Sequence, residues 1–243
     1  TYLPTLDYAL QRHGPDHPRS ERAINTLFLH LNMLIQVAQK CNYEVLIFGD
    51  YAIGEVSGEA IFTNRILKEG YLFHSRMVAK NEYADLFHSR AFAMVDHEIA
   101  HVFVHDHADI QFTRRLFENT NGVEAVYDKQ QQAALGLDHP NSGELLLVAS
   151  PGRWFAYPWW TNPKAAPDFA AHIDIHNKPG YDPCELFFQP LTINICQDTS
   201  RICGSHGRAD ESRRIAFGTT LPCETPPVDL LDISKLAQQF LSR

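Results

Sequence analysis

The sequence predicts an α/β fold: helices flanking a mostly parallel sheet, with a small α+β unit set into it. Three observations predict this. Residues 19–40 carry apolar side chains at helical spacing and lead straight into a short apolar strand, the unit of a doubly wound sheet. Residues 101–127 read as strand, helix and strand in close succession. Asp50 stands where the first strand opens into a loop, the end at which such sheets place their chemistry.

The elements follow in order. Ser20 can cap the first helix, whose apolar positions include Ile24, Leu27, Phe28, Leu31, Leu34 and Ile35. Residues 45–48 read as a short buried strand ending at Gly49 and Asp50. Residues 59–69 read as a helix stopped by Gly70. Residues 91–105 are strand-like, and HVFVH at 101–105 alternates with period two. Residues 108–119 form a helix that Gly122 ends, and VEAVY (123–127) and GELLLVAS (143–150) are strands. The aromatic run WFAYPWW at 154–160 is suited to core packing or to stacking on a ring. The rest is loop-rich as far as an amphipathic helix at 232–243. The expected organisation is a core part at 1–90, an α+β cap insert at 91–150, and a return to the core at 151–243 with loop-borne site residues.

Composition narrows the function. The chain has 243 residues, 44% of them hydrophobic, enough for one large domain. A net charge of −8 with no basic stripe argues against a nucleic-acid polymer as partner. No apolar run reaches membrane-spanning length, so no membrane partner is expected. Five cysteines without a CxxC pair point to free thiols and a reducing, cytoplasmic setting. The opening TYLPTLDYALQ reads like the middle of a folded domain, so the chain is expected to be a piece of a longer polypeptide.

HEIAH, residues 97–101, fits the His-Glu-x-x-His zinc-protease pattern letter for letter. That chemistry needs both imidazoles on one face of a helix with the glutamate beside them as base. The surrounding residues are strand-like, no helix cap precedes them, and no third ligand follows at the usual spacing. On a strand, positions 97, 99 and 101 share a face and Glu98 points away. The motif is therefore expected to be non-helical, with no metal shared by His97 and His101.

Three separated stretches make a stronger case: LPTLDYALQRHGP with Asp7, FGDYAIG with Asp50, and CGSHGR with His206. Each sets a carboxylate or an imidazole beside glycine or at a strand-to-loop junction, and that mixture of donors favours zinc or manganese. Singly, the two aspartates also read as helix caps and His206 as a loop histidine. In this order the three resemble the alkaline phosphatase superfamily, its type I phosphodiesterase / nucleotide pyrophosphatase branch. That branch carries an Asp-x-x-x-His before Gly-Pro, a strand ending in Ser-Asp-His-Gly, and a late Gly-Thr/Ser-His-Gly. Here Gln11 and Tyr51 stand where the first two motifs have histidine, while residues 204–207 match the third in full. GELLLVASPGRWFAY and HNKPGYDP resemble a bacterial subgroup whose second motif has an acidic residue followed by tyrosine.

The resemblance implies an alkaline-phosphatase-like fold and a metal-dependent phosphodiesterase or pyrophosphatase-like hydrolase with two divalent metals, zinc or manganese. It implies that Asp7 and His206 share one metal and that Asp50 holds the other. Gln11 and Tyr51 are then expected to meet substrate. His176, in a loop fixed by Pro179 and Gly180, is the first candidate to replace a lost imidazole, ahead of His13 and His97. Its alternative is a loop histidine bonded to Asp174 or Asp182. The resemblance places the threonine or serine nucleophile in a preceding half of the protein. That half is then a partner of this chain, alongside a small phosphoester or nucleotide-like substrate. Two alternatives stand beside this reading: an impaired family member that binds a phosphorylated ligand or partner, and the zinc protease of residues 97–101.

Overall fold

The computed structural model describes residues 1–242. Its elements run α1 (Thr5–His13), α2 (Pro18–Lys40), β1 (Leu46–Phe48), β2 (Gly54–Glu55), β3 (Ile61–Phe62) and α3 (Thr63–Glu69). Next come β4 (Ser75–Val78), β5 (Asn81–Ala84), β6 (Ala91–Asp96), β7 (Ile99–Val104), α4 (Ile110–Glu118), β8 (Val123–Tyr127), α5 (Lys129–Ala134) and β9 (Leu145–Ala149). The chain closes with β10 (Phe155–Ala156), β11 (Phe188–Gln189), β12 (Asn194–Ile195), β13 (Gly204–Ser205), β14 (Phe217–Thr219) and α6 (Leu230–Leu241).

The centre is a four-stranded sheet in the order β6-β7-β9-β8, antiparallel throughout. Its alternate residues Ala93, Val95, Ala100, Val102, Leu145 and Leu147 are buried. They share one core with Leu67 and Phe73, with Phe117 of α4, and with Trp159 and Trp160 of the aromatic run. Each large side chain withdrawn from water there contributes about 1.5–3 kcal/mol. The aromatic run is thus core packing, and Trp159 also donates its indole N–H to the Glu82 carbonyl at 3.1 Å.

The outer edge of β6 is covered rather than left open. Buried Asn64 of α3 imitates a strand: the Ala93 N–H donates to its Oδ1 at 2.8 Å and its Nδ2 donates to the Ala93 carbonyl at 2.9 Å. Further along, the Val95 N–H donates to the Pro179 carbonyl at 3.2 Å and the Tyr181 N–H to the Val95 carbonyl at 2.9 Å. An edge satisfied in this way cannot template pairing with another chain.

The α/β class stands, with three corrections. The mostly parallel sheet is not formed by the strands described: β3–β10 is the one parallel strand pair, and the other pairings are antiparallel. The physical reason is connection length. β6 and β7 are joined by two residues, which permits only an antiparallel return, whereas the whole sheet unit lies between β3 and β10 and supplies their crossover. β1 is not buried; it pairs with β14 and leaves Phe48 exposed. The segment expected as a helix from residue 59 begins as strand β3 and turns helical only at Thr63.

Candidate metal centre

Four segments bring the site together. α1 places Asp7 and Gln11 four residues apart, hence on one face. The loop after β1 carries Asp50 and Tyr51, and β13 leads into His206. The fourth is the tight turn between β6 and β7, made of His97 and Glu98. The glycines of residues 204–207 let these segments close up. A side chain at Gly204 would stand 2.4 Å from the Leu10 carbonyl oxygen, so glycine there allows α1 to lie against β13. Gly207, at φ +122°, passes close to the Glu98 backbone.

The β6–β7 turn is fastened on three sides. The Glu98 N–H donates to the His206 carbonyl at 2.7 Å, the Phe155 N–H to the His97 carbonyl at 2.7 Å, and the Ala149 N–H to the Glu98 carbonyl at 2.9 Å. HEIAH is therefore a turn running into a strand and not a helix. The expected strand geometry is also corrected: residues 97 and 98 are turn residues, and Glu98 points inward. Its fully buried carboxylate accepts from the Arg213 guanidinium at 2.6 Å and from the Arg208 N–H at 3.0 Å. Glu98 is a pin for the loop after β13, with no role as a protease base. His101 faces elsewhere and accepts from the Gly143 N–H at 3.2 Å through Nδ1.

The side chains form a run of contacts. Gln11 Nε2 donates to both carboxylate oxygens of Asp7 at 3.0 Å, and the Tyr51 hydroxyl donates to Asp7 Oδ1 at 3.2 Å. The Tyr51 ring stacks on His206 with centroids 3.7 Å apart, and His206 lies 3.9 Å from His97. His97 stacks on Tyr181 at 4.8 Å, which ends the run. Beside it, ligand atoms of Asp96, His97 and His206 all lie within 4.8 Å of one another.

Electrostatics keep the imidazoles unprotonated. Burial holds the His206 pKa down to about 4, against an opposing pull from the Asp50 carboxylate. Burial, then the neighbouring His206, holds His97 well below the usual histidine range. Both rings are thus neutral near pH 7 and have a lone pair to give. Burial raises the Asp7 carboxyl, although the Gln11 and Tyr51 hydrogen bonds pull it back. The Tyr51 phenol is raised, first by burial and then by Asp7, and burial pushes Tyr181 up to about 12. Both tyrosines stay protonated, and Tyr51 acts as a hydrogen-bond donor to Asp7.

Of the residues expected from the sequence, Asp7, Gln11, Tyr51 and His206 meet directly. Asp50 is near enough for its charge to act on Asp7, Tyr51 and His206. His176 does not join them: it is exposed, and its backbone N–H donates to Asp174 Oδ1 at 3.3 Å. His13 stacks on His17 instead. Asp96 and Tyr181 were not anticipated, and His97 ranked only as a minor candidate. The signal available for all three was adjacency: Asp96 precedes HEIAH, and Tyr181 follows Gly180.

The donors present fit one divalent ion better than two. Both Asp7 oxygens already accept from amide and phenol donors, and Asp50 has beside it a tyrosine in place of an imidazole. Two imidazoles and a carboxylate converge only at Asp96, His97 and His206 among the described residues.

The family model for type I phosphodiesterase / nucleotide pyrophosphatase matches residues 1–182, a range that holds the first two motifs and not the third. No curated protein matches the chain. Phosphonoacetate hydrolase from Sinorhizobium meliloti 1021, solved with phosphonoformate, is similar over 91% of this chain and 46% of its own at 14% identity, with a TM-score of 0.53. Murine ectonucleotide pyrophosphatase / phosphodiesterase 5 is similar over 84% of this chain and 45% of its own at 14% identity, with a TM-score of 0.45. The hydrolase bears on the fold alone. The chain spans a little under half the length of these solved structures.

Proposed function

Because the chain belongs to the type I phosphodiesterase / nucleotide pyrophosphatase family, we propose that the protein is a divalent-metal-dependent hydrolase of small phosphoester or nucleotide-like substrates. In this reading the chain carries the metal-binding part of the active site. The observation that carries it is the run of contacts from Asp7 through Tyr51 to His206: three motifs far apart in sequence meet at one place. A bound zinc or manganese ion would supply Lewis-acid stabilisation of the oxygens that gain charge as phosphoryl transfer proceeds. The chain's own residues do the rest. His206 offers a neutral imidazole, Asp50 a second carboxylate at the rim, and Tyr51 a phenolic donor. Gln11 and Tyr51 together fix the Asp7 carboxylate. The nucleophile belongs, in this proposal, to the remainder of a longer protein, in keeping with solved structures about twice this length.

The full-length protein is expected to hydrolyse a generic aryl phosphodiester, to lose that activity on chelation, and to regain it with zinc or manganese. A second reading, a family member that binds a phosphorylated ligand without turning it over, is favoured by the saturation of Asp7 by Gln11 and Tyr51. Saturable binding of a nucleoside monophosphate, with no turnover under either metal, would replace the first reading by the second.

A further inference from the structure

The two-metal arrangement implied by the family motifs does not account for the most strained residue in the site. His97 has φ +57°, in the left-handed region that favours glycine or asparagine. A two-residue hairpin turn normally supplies such a residue, and histidine costs about 1–2 kcal/mol there. Strain of this kind persists only when the surroundings over-determine it. Here they do: the His97 carbonyl, the Glu98 backbone and the buried Glu98 carboxylate are all tied to neighbouring segments. The result lays a buried imidazole against the His206 ring. His97 Nδ1 lies 3.3 Å from the Oγ of fully buried Ser205, and with the Nδ1–H donated to that hydroxyl the lone pair stands on Nε2. An outer-shell hydrogen bond of this type fixes the tautomer and orientation of a ligating histidine.

We propose that the protein binds a single zinc-class divalent ion through Asp96, His97 and His206, with Ser205 positioning His97. Asp7 is then no ligand; it is an anchor for Gln11 and Tyr51. Three ligands, two of them imidazole, with a further position left open make the set of a catalytic zinc site. Ligand atoms around such an ion stand about 3.4 Å apart. The three groups, within 4.8 Å of one another, need only small side-chain rotations, and Asp96 is exposed and free to make one. A phosphoester oxygen would take the open position. The assignment rests on the phosphoester-hydrolase reading for its substrate and on the hairpin turn for its geometry.

The test is metal stoichiometry in the full-length protein, stripped with chelator and titrated with Zn2+ by calorimetry and with Co2+ by visible absorption. One ion per chain is expected. Asp96→Asn, at an exposed position that spares the fold, and His97→Asn, which suits the left-handed backbone, should both abolish the tetrahedral Co2+ spectrum. Ser205→Ala should weaken affinity about 10–100-fold. Asp7→Asn should leave the stoichiometry and the spectrum in place. Two ions per chain, or an ion lost on Asp7→Asn and kept on Asp96→Asn, would overturn this assignment while sparing the hydrolase reading. Turnover that survives chelation with no bound ion would overturn both.

Discussion

Glu98 shows how one buried charge decides which reading of a motif is physical. Its carboxylate has no exposure and is matched by Arg213 and the Arg208 N–H. Glu98→Gln removes the charge and leaves Arg213 buried without its counter-ion, so unfolding free energy should fall by about 3 kcal/mol. Urea denaturation measures this; a loss below about 1 kcal/mol would mean that Glu98 is no structural pin. At this scale the sequence was legible where a residue sat in a motif with a chemical order. Asp7 and His206, singled out that way, come together through Tyr51. Asp96 and Tyr181 were not expected, and His97 stood only as a weaker candidate; the turn that places Asp96 and His97 lacks the Asn-Gly or Asp-Gly pair that marks a two-residue hairpin. His176 misled because a loop held by proline and glycine fixes a backbone without saying which way it faces.

At the scale of elements, strong periodicity was readable and short pairings were not. The helix expected at 19–40 is α2, and the strand expected at 123–127 is β8 with the same bounds. The hairpin of β4 and β5 and the short strands β2 and β13 carry too few residues for a period to show. α1 was read as a motif and not as a helix, since Pro4 precedes it and few of its residues are apolar. β7 carries a titratable group whose effect can be signed. Burial, then Lys129, lowers the pKa of His101, and its Nδ1 must stay unprotonated to accept from the Gly143 N–H. The unfolded chain takes up this proton near pH 6.5 and the folded chain only below that. The contribution of His101 is thus whole above pH 6.5 and is lost as the pH falls. The urea midpoint should drop from pH 7 to pH 5, and His101→Asn, which keeps an acceptor without titrating, should make that drop smaller. An unchanged slope in the variant would remove His101 from the account.

For the whole molecule, the feature that matters is α2. Only Ser20 and Ala23 of its 23 residues are buried, while Phe28, Leu29, Met33, Leu34 and Val37 are exposed. An apolar stripe of that size is unusual on a monomer surface and marks a place where something packs. Residues 1–243 produced alone should bind a hydrophobic dye, self-associate, and show no hydrolysis of an aryl phosphodiester even with zinc, since a nucleophile is needed as well as a metal. Turnover at the rate of the full-length protein would place the nucleophile within these 243 residues.

The run of contacts from Asp7 to His206 also sets a schedule. About two hundred residues separate its two ends in the chain. At roughly 5–20 residues per second of synthesis, α1 leaves the ribosome some tens of seconds before the segment that completes the run. Through that interval Asp7, Tyr51 and His97 exist as loose ends, and the cluster is finished only once the segment that carries His206 has been made.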